Sequence, residues 1–497
     1  MDSFFYHHPS YLDFIYLGVP PHFVRGRATP GFASLPCFAP ASPPSVSLTQ
    51  RDLPTKIPPF SLLDIFVFKK NGSILYFIYF CTMKKERTFA IHTLGCKLNY
   101  SESAHISRKL TENGFSISYD PSYIILNSCA VTGAAEKKGR NLVSKLHRQH
   151  PDAKIIVMGC YSQLDAEKVS LWEGVYKTYG TENKINLVNH LLGESEPDTP
   201  EFFSAYSAHG RTRSFLKIQD GCDYHCTYCT VAKARGSSRS NTIENVLQNI
   251  KEIHEMGIKE VNLTGVNVGD FGQLTGESLL DLLKQIDQLQ LIERVRISSI
   301  EPNLLTSDII QLVAQSNILM PHFHIPLQSG CDRILALMKR RYNTSFFAHK
   351  VSLIKQLMPH ACIAVDVITG FPGETDEDFL NTYHFIESLP ISYLHVFTYS
   401  KRPNTPAAEM NNQVDETKKR ERTNALLNLS DQKIKSFYTQ HFNTKRVVLV
   451  EEGVHHNKLF GFTDNYIKVQ LPYDKTLPNT LSEIVLTQEN CVLDHKD

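Results

Sequence analysis

Apolar and polar positions alternate in blocks between Thr88 and about residue 193. Continuous apolar runs, typical of strands buried on both faces, are separated by longer stretches with helical periodicity. The predicted strands cover residues 88–95, 123–129 and 154–160, and the predicted helices cover residues 101–114, 134–150 and 165–174. This alternation predicts an α/β fold that begins with a doubly wound, parallel-sheet domain.

The same alternation resumes at Phe215 and continues to about residue 390. Six further strands are predicted, at residues 215–219, 260–263, 295–299, 322–326, 363–368 and 393–397. The clearest helix between them places Leu279, Leu282, Leu283 and Ile286 on one face. Six strand–helix repeats predict a partial (β/α)6 barrel, a fold in which chemistry is found at the carboxyl ends of the strands.

The segments around these blocks have other patterns. Residues 194–214 are polar and rich in turn formers, and residues 418–445 form a basic, helix-prone connector. From Arg446 onward, short β runs at residues 447–450, 466–471 and 484–487 predict a small all-β, OB-like barrel. We therefore expect domains at residues 87–197, 208–438 and 439–497.

The first 82 residues form a leader that is rich in proline and aromatic residues and has no sustained periodicity. Its most apolar stretch, residues 60–81, is interrupted by Asp64, Lys69 and Lys70, so we predict no membrane span, which needs about 20 largely uncharged residues. A new pattern begins at Met83, directly before the first predicted strand. We expect Met83 to be the natural start and the leader to be disordered or mis-assigned.

Composition adds two constraints. The formal net charge of +1 neither favours nor excludes a nucleic-acid partner, so any basic surface must be local. The chain has 11 cysteines and no recognisable secretory signal. Metal or redox use in a reducing compartment, the cytoplasm, is therefore favoured over a disulfide framework.

Three cysteines, Cys96, Cys129 and Cys160, lie at or just past the carboxyl ends of predicted strands. That edge of an open α/β sheet is where ligands bind, and successive members of the trio are about one βα unit apart. The three thiols could therefore converge. On residue type alone the opposite interpretation is favoured, because a free cysteine is commonly a small buried hydrophobe.

Cys222, Cys226 and Cys229 form a C-x3-C-x2-C motif after the first strand of the predicted barrel. Three thiolates on one loop can bind three corners of a [4Fe-4S] cube and leave one iron open. S-adenosylmethionine (SAM) can occupy that position and be cleaved to a 5′-deoxyadenosyl radical. The alternative is a zinc site completed by His225 or a distant cysteine, but structural zinc usually takes two separated ligand pairs.

The motif, with Gly221 before it and aromatic residues between its thiols, resembles the radical SAM superfamily. Its surroundings resemble the methylthiotransferases, and among them the branch that acts on N6-threonylcarbamoyladenosine in tRNA. The segments that carry this resemblance are TLGCKLNYSE (93–102), NSCAVTGAAEKKGR (127–140), GCYSQ (159–163), QDGCDYHCTYC (219–229), RISSIEP (296–302), HIPLQSG (324–330), GFPGET (370–375) and YSKRPNTPAA (399–408). GFTDNYIKV (461–469) resembles the small RNA-binding barrel called TRAM, so the match covers roughly residues 87–497.

One segment departs from the family pattern. The family usually carries a proline and an aromatic residue after the third cysteine, whereas this chain has Thr230-Val231-Ala232-Lys233. The following Arg235-Gly236 and Ser238-Arg239 still fit. The departure affects the expected shape of the substrate channel but not cluster ligation.

The resemblance implies two [4Fe-4S] clusters and SAM as cofactors. The first cluster is held by Cys222, Cys226 and Cys229, and an auxiliary cluster is held by Cys96, Cys129 and Cys160. Candidate SAM contacts follow the barrel strands: Gly265, Ser298, Ser299, Glu301, Gln328, Gly370, Gly373 and Glu374. Glycine permits close backbone approach, but turn geometry and helix capping explain any single one of these residues equally well.

The implied reaction places a methylthio group on C2 of the modified adenosine 37 of tRNA. The radical removes the C2 hydrogen, the auxiliary cluster delivers sulfur, and a second SAM supplies the methyl group. The implied partners are the tRNA anticodon loop, a reductant protein and a sulfur donor of unknown identity. The basic connector could hold tRNA phosphates, or it could be a solvated helix face. Phe460, Phe462 and Tyr466 could stack on unpaired bases, or they could form the aromatic core of the small barrel.

Three alternative functions stay open at this point. Two lie within the family: methylthiolation of isopentenyladenosine in tRNA and of an aspartate on a ribosomal protein. The third belongs to a different class, a zinc-stabilised RNA-binding protein without catalysis.

Overall fold

The computed structural model describes residues 87–130, 133–195, 202–208 and 212–493, and the backbone of two earlier strands. These strands, β1 (Ile65–Lys70) and β2 (Ser73–Ile78), pair as an antiparallel hairpin in a stretch where no regular element is predicted. The rest of the predicted leader and the expected start at Met83 lie outside the described residues. The described residues between 87 and 493 belong to one compact unit.

The unit begins with a five-stranded parallel sheet in the order β4-β3-β5-β6-β7. Its strands are β3 (Thr88–Thr93), β4 (Ser116–Ile117), β5 (Tyr123–Ser128), β6 (Lys154–Gly159) and β7 (Val175–Tyr179). The helices are α1 (Lys97–Glu112), α2 (Gly133–Gln149), α3 (Cys160–Leu164), α4 (Ala166–Ser170) and α5 (Lys184–Leu192). Ile124 and Ile155 pack in one core and Ile125 and Ile156 in another, so both faces are buried, as predicted.

The strand order of this sheet creates a ligand-binding position. β4 lies outside β3, whereas β5, β6 and β7 follow on its other side, so the direction of winding reverses between β3 and β5. Crevices at such topological switch points are where open α/β sheets bind their ligands. Residues after β3 and β5 therefore flank the favoured position.

The central segment contains two parallel sheets in the orders β13-β12-β9-β8 and β14-β15-β16, with β8 antiparallel at one edge, and a short antiparallel pair β10–β11. The strands are β8 (Ala205–Tyr206), β9 (Arg213–Lys217), β10 (Gln219–Asp220), β11 (Arg239–Ser240), β12 (Glu260–Thr264), β13 (Arg294–Ile297), β14 (His322–Gln328), β15 (Cys362–Thr369) and β16 (Tyr393–Thr398). The helices are α6 (Val231–Arg235), α7 (Ile243–Glu255), α8 (Leu279–Leu289), α9 (Ser307–Gln315), α10 (Asp332–Leu337), α11 (Thr344–Leu357), α12 (Asp376–Ser388), α13 (Pro406–Glu409) and α14 (Glu416–Thr439).

All six strands predicted for this segment are present, but they do not form one hydrogen-bonded ladder. An isolated parallel bridge connects Val295 of β13 with Leu319, which lies just before β14. One face of the strands packs with the helices in a shared core, to which α8 contributes the predicted stripe of buried leucine and isoleucine. Ser278 caps α8 by accepting a hydrogen bond from the Asp281 amide.

The chain ends in a four-stranded antiparallel sheet in the order β19-β18-β17-β20, here called the C-terminal sheet. Its strands are β17 (Lys445–His455), β18 (Lys458–Thr463), β19 (Lys468–Pro472) and β20 (Leu481–Val485). β18, which contains Gly461, was not predicted. A side chain at that position would meet the Leu449 carbonyl oxygen at 2.5 Å, so the strand pairing requires glycine there.

The C-terminal sheet is attached to the central segment through arginine side chains of β13. Arg294 donates to the Phe462 carbonyl at 2.9 Å, and Arg296 donates to the carbonyls of Thr463 and Asp464 at 2.7 and 2.8 Å. Both arginines are buried. None of the helices in the described part of the chain is long and apolar enough to cross a membrane.

Candidate active site and metal centres

Cys96, Cys129 and Cys160 lie at the carboxyl edge of the first sheet, where the sequence predicts them. Cys96 precedes α1, Cys129 follows β5 directly, and Cys160 begins α3 after β6. A side chain at Gly95, which has φ +105°, would lie 3.0 Å from Cys129 Sγ, so the Cys129 thiol lies against the loop that carries Cys96. Cys129 and Cys160 share one apolar cluster. Cys96 and Cys129 therefore flank the switch point between β3 and β5, and Cys160 lies at the end of the adjacent strand β6.

A buried ionic network, which we call the Glu102 network, lies next to this trio. Glu102 accepts hydrogen bonds from Lys217 at 2.8 Å and Arg235 at 3.2 Å, and it pairs with Lys184. Asp220 pairs with Lys217 at 2.7 Å and Arg235 at 2.8 Å. These five side chains are each at most 3% exposed, and they come from five separate elements: α1, α5, β9, β10 and α6.

The Glu102 network has more cations than carboxylates. With Arg239, which reaches Asp220 at 3.0 Å, it contains four cations and two carboxylates. Burial alone would lower the pKa of Arg235, but Cys160 and Glu102 raise it well above its usual value. Because buried charge is costly without a counter-charge, the excess suits an anionic group at the thiols. Thiolates that ligate an iron–sulfur cluster supply such charge, so the residues fit the auxiliary cluster.

Cys222, Cys226 and Cys229 lie on the loop between β10 and α6. The loop is tightly folded: the Cys229 amide donates to the Cys226 carbonyl at 3.1 Å, and a side chain at Gly221 would overlap the Ser237 carbonyl. Burial raises the pKa of Cys222 to about 12 and that of Cys229 to about 11. Without a bound metal these thiols stay protonated at neutral pH, and a metal centre is what favours their thiolate forms.

The spacing of the sulfur atoms is compatible with a cluster. Among the residues that the structure describes, neither cysteine trio has its three sulfur atoms within 4.8 Å of one another. A [4Fe-4S] cube holds its thiolate ligands on separate irons, so it does not require the three sulfur atoms to meet around a single ion.

Arg340 is a site residue that the sequence analysis did not find. Its Nη1 donates to Cys226 Sγ at 3.1 Å, and its Nη2 pairs with Glu301, one of the candidate SAM contacts. The Arg340 side chain is 3% exposed. The only signal was a pair of arginines shortly after α10, which is also typical of a solvated surface.

Two of the candidate SAM contacts carry buried polar atoms that have no hydrogen-bond partner among the described residues: Ser298 Oγ and Gln328 Oε1. Gln328 also has a left-handed backbone, with φ +65°, at the end of β14. Buried unpaired polar atoms cost about 1–3 kcal/mol each, so both fit contact with a bound polar ligand. Ser299 is adjacent, and a side chain at Gly265 would meet Gln219 Oε1 at 2.8 Å.

Gly370, Gly373 and Glu374 have partners within the protein. A side chain at Gly370, with φ +72°, would lie 2.3 Å from Cγ of Lys419. Glu374 accepts hydrogen bonds from the Gly370 amide at 2.8 Å and from Arg422 at 2.6 Å, and the Gly373 amide donates to a carbonyl at 2.6 Å. Turn geometry and ion pairing account for these three residues without a ligand.

Known proteins match the chain over most of its described length. Residues 216–386 match the Radical SAM superfamily, and residues 88–177 match "Uncharacterized protein family UPF0004". "Threonylcarbamoyladenosine tRNA methylthiotransferase MtaB" of Bacillus subtilis (strain 168) is 37% identical over an alignment of 410 residues. The alignment covers 77% of this chain and 90% of that protein. The chain belongs to the radical SAM methylthiotransferase family.

Other members of the radical SAM methylthiotransferase family are similarly close. The MtaB protein of Thermotoga maritima is 36% identical over 77% of this chain and 91% of its own length. The "tRNA-2-methylthio-N(6)-dimethylallyladenosine synthase" of Pelotomaculum thermopropionicum is 34% identical over 70% of this chain and 82% of its own. As a radical SAM methylthiotransferase, the protein uses [4Fe-4S] clusters and SAM.

Solved structures agree on the fold. The radical SAM methyltransferase TsrM from Kitasatospora setae, with cobalamin and a [4Fe-4S] cluster bound, has a TM-score of 0.50 and 14% identity. The similarity covers 65% of this chain and 77% of that one. At this identity it supports the α/β architecture alone.

Proposed function

We propose that this radical SAM methylthiotransferase acts on tRNA and transfers a methylthio group to C2 of N6-threonylcarbamoyladenosine at position 37. The observation that carries the proposal is the match to five curated proteins of that activity, at 32–37% identity over 77–80% of the chain. Dimethylallyladenosine synthases, at 30–34% over 70–75%, supply the second candidate substrate. A tRNA substrate makes the cytoplasm the expected location.

In this proposal the two cysteine trios ligate two clusters. A [4Fe-4S] cluster with three thiolate ligands has one iron open for SAM and supplies the electron that cleaves it. Cys222, Cys226 and Cys229 hold this cluster, and Arg340 fixes the Cys226 sulfur from one side. Ser298 and Gln328 offer their unpaired polar atoms to SAM. Cys96, Cys129 and Cys160 hold the auxiliary cluster, and the Glu102 network supplies its counter-charge.

The finer architecture follows the same proposal. The two parallel sheets act as one partial six-stranded barrel around SAM, and the C-terminal sheet acts as a TRAM-like barrel for tRNA. Phe462 and Tyr466 are buried and stacked on each other at 4.8 Å, which fits core packing, whereas Phe460 is partly exposed and suits base stacking. In the basic connector, Arg422 is buried and paired with Glu374, so it is not free to hold phosphate.

Nucleoside analysis of tRNA tests the proposed substrate. A strain that lacks the gene should lose 2-methylthio-N6-threonylcarbamoyladenosine by mass spectrometry and regain it with the wild-type gene, but not with Cys222→Ala or Cys129→Ala. Unchanged levels of this nucleoside would reject the proposal, and loss of the isopentenyl derivative instead would favour the second candidate.

Iron analysis after anaerobic purification tests the ligand sets. The wild type should contain about eight irons per chain, and each cysteine variant about four. Cys222→Ala should abolish SAM cleavage, whereas Cys129→Ala should retain it. Zinc in place of iron at either trio would contradict the assignment.

A further inference from the structure

A third group of metal-ligating side chains lies outside both cysteine trios. It consists of His324 on β14, Asp366 on β15 and His395 on β16, three neighbouring parallel strands. Asp366 is in register with His395, and His324 is in register with Ala364, two residues before Asp366. Because side chains alternate along a strand, all three project from the face opposite the helix-packed core. The register of the sheet therefore brings them together.

The ligand atoms of this group are close to one another. His324 Nε2 lies 2.7 Å from Asp366 Oδ1, the rings of His324 and His395 have centroids 5.0 Å apart, and one ligand atom from each residue lies within 4.8 Å of the others. Ligands bound to one ion at about 2.0–2.2 Å are roughly 3–3.5 Å apart. Small side-chain rotations therefore suffice to place all three on one ion. All three residues are partly exposed, so an ion has access.

The donor set indicates the class of ion. Two imidazoles and one carboxylate are a frequent set for Zn²⁺ and Fe²⁺, and three protein ligands leave positions open for water or substrate. His322, two residues before His324 on the same strand face, has both ring nitrogens buried without a hydrogen-bond partner among the described residues. Buried imidazoles are ordinarily satisfied, so His322 is a further unpaired donor in this region.

We infer that His324, Asp366 and His395 form a binding site for one divalent transition-metal ion, separate from the cysteine sites. His324 lies four residues before Gln328 on β14, about 13 Å along the strand. The ion therefore lies deeper than the strand ends that carry the candidate SAM contacts. Its open positions face away from the core that the helices share with the sheet.

Zinc binding by the holoenzyme tests this inference. Anaerobically purified protein with both clusters present is equilibrated with Zn²⁺, freed of excess ion by gel filtration and analysed for zinc and iron. We expect one zinc per chain in the wild type. His395→Gln and the nearly isosteric Asp366→Asn should each lose that zinc and keep the iron of the wild type. His384→Ala, which removes an exposed histidine paired with Glu387 on α12, is the matched control and should keep the zinc.

X-ray absorption at the zinc edge identifies the ligands. Nitrogen and oxygen neighbours alone are expected, whereas sulfur neighbours would place the zinc in incompletely filled cysteine sites and overturn the inference. Zinc content that is equal in the wild type, His395→Gln and Asp366→Asn would overturn it as well. Neither measurement depends on the tRNA product, so failure here is distinct from failure of the proposed function.

Discussion

The Glu102 network allows a quantitative test through Glu102→Gln. Glutamine keeps the shape and length of the side chain but removes the negative charge with which Lys184, Lys217 and Arg235 are paired. Glu102 is fully buried, and its partners are at most 3% exposed, so solvent does not screen the loss. Removing one partner of a buried ion pair costs about 3–5 kcal/mol, because the remaining charges stay buried. That is a large share of the roughly 5–15 kcal/mol that stabilises a typical domain.

The pH dependence of this stabilisation has a definite sign. Burial alone would raise the pKa of Glu102, but three neighbouring cations hold it well below its usual value. A depressed folded pKa contributes stability above the unfolded pKa of about 4.3, and the contribution is lost as the pH falls through the folded value. The wild type should therefore exceed Glu102→Gln in stability at neutral pH, and the difference should shrink as the pH falls below about 4.

Urea unfolding followed by tryptophan fluorescence measures the effect. Trp172 is the only tryptophan, and it stacks on Tyr161 with ring centroids 5.5 Å apart. Both residues lie between β6 and β7, so the fluorescence reports on the unfolding of the five-stranded sheet and its helices. With a slope of about 2 kcal/mol per molar urea, the midpoint should fall by roughly 2 M in cluster-free protein. Glu112→Gln, which removes an exposed partner of Lys109 on the same helix, should change stability by at most about 1 kcal/mol. Equal shifts for the two variants would refute the reasoning.

Three further predictions concern other contacts. Arg340→Met removes a hydrogen bond and a positive charge at Cys226, so it should make the reduction potential of the first cluster more negative by about 60 mV, a tenfold change in a one-electron equilibrium. Redox titration followed by electron paramagnetic resonance measures the potential. Arg340→Lys keeps the charge and should therefore show a smaller shift in potential. Arg296→Met removes two hydrogen bonds to the C-terminal sheet, so it should speed hydrogen exchange in that sheet and reduce tRNA modification more than SAM cleavage. Equal loss of both activities would contradict a role of Arg296 in holding the C-terminal sheet in place. Gly370→Ala should destabilise the protein by about 1–3 kcal/mol, because φ is +72° and the added methyl group meets the Lys419 side chain. Thermal unfolding measures this, and an unchanged melting temperature would contradict the expectation by showing that the turn relaxes.

The elements that the sequence predicted correctly are those whose signal is local. Apolar runs located β5 and β6, and the leucine stripe located α8, because burial on a sheet face or helix face leaves a regular period in the chain. The cysteines at strand ends could be placed for the same reason. The hairpin β1–β2 and the strand β18 were missed because lysine, asparagine and glycine interrupt their patterns.

The Glu102 network and Arg340 could not be predicted from local patterns. Glu102 and Arg235 are 133 residues apart, and nothing in the sequence around either one shows that both become buried. A charged residue in an amphipathic helix ordinarily faces solvent, and only tertiary packing reverses that expectation. The His324, Asp366 and His395 group likewise depends on strand register, which individual sequence segments do not encode.

The attachment of the C-terminal sheet has a consequence for how the enzyme tolerates sequence change. Arg294 and Arg296 bind main-chain carbonyls of Phe462, Thr463 and Asp464, which every amino acid presents alike. Substitution of side chains at the end of β18 and at residue 464 therefore leaves these backbone hydrogen bonds available, as long as the backbone path is kept. The terminal module could diversify in sequence, or be exchanged between homologues, while the arginine pair stays fixed.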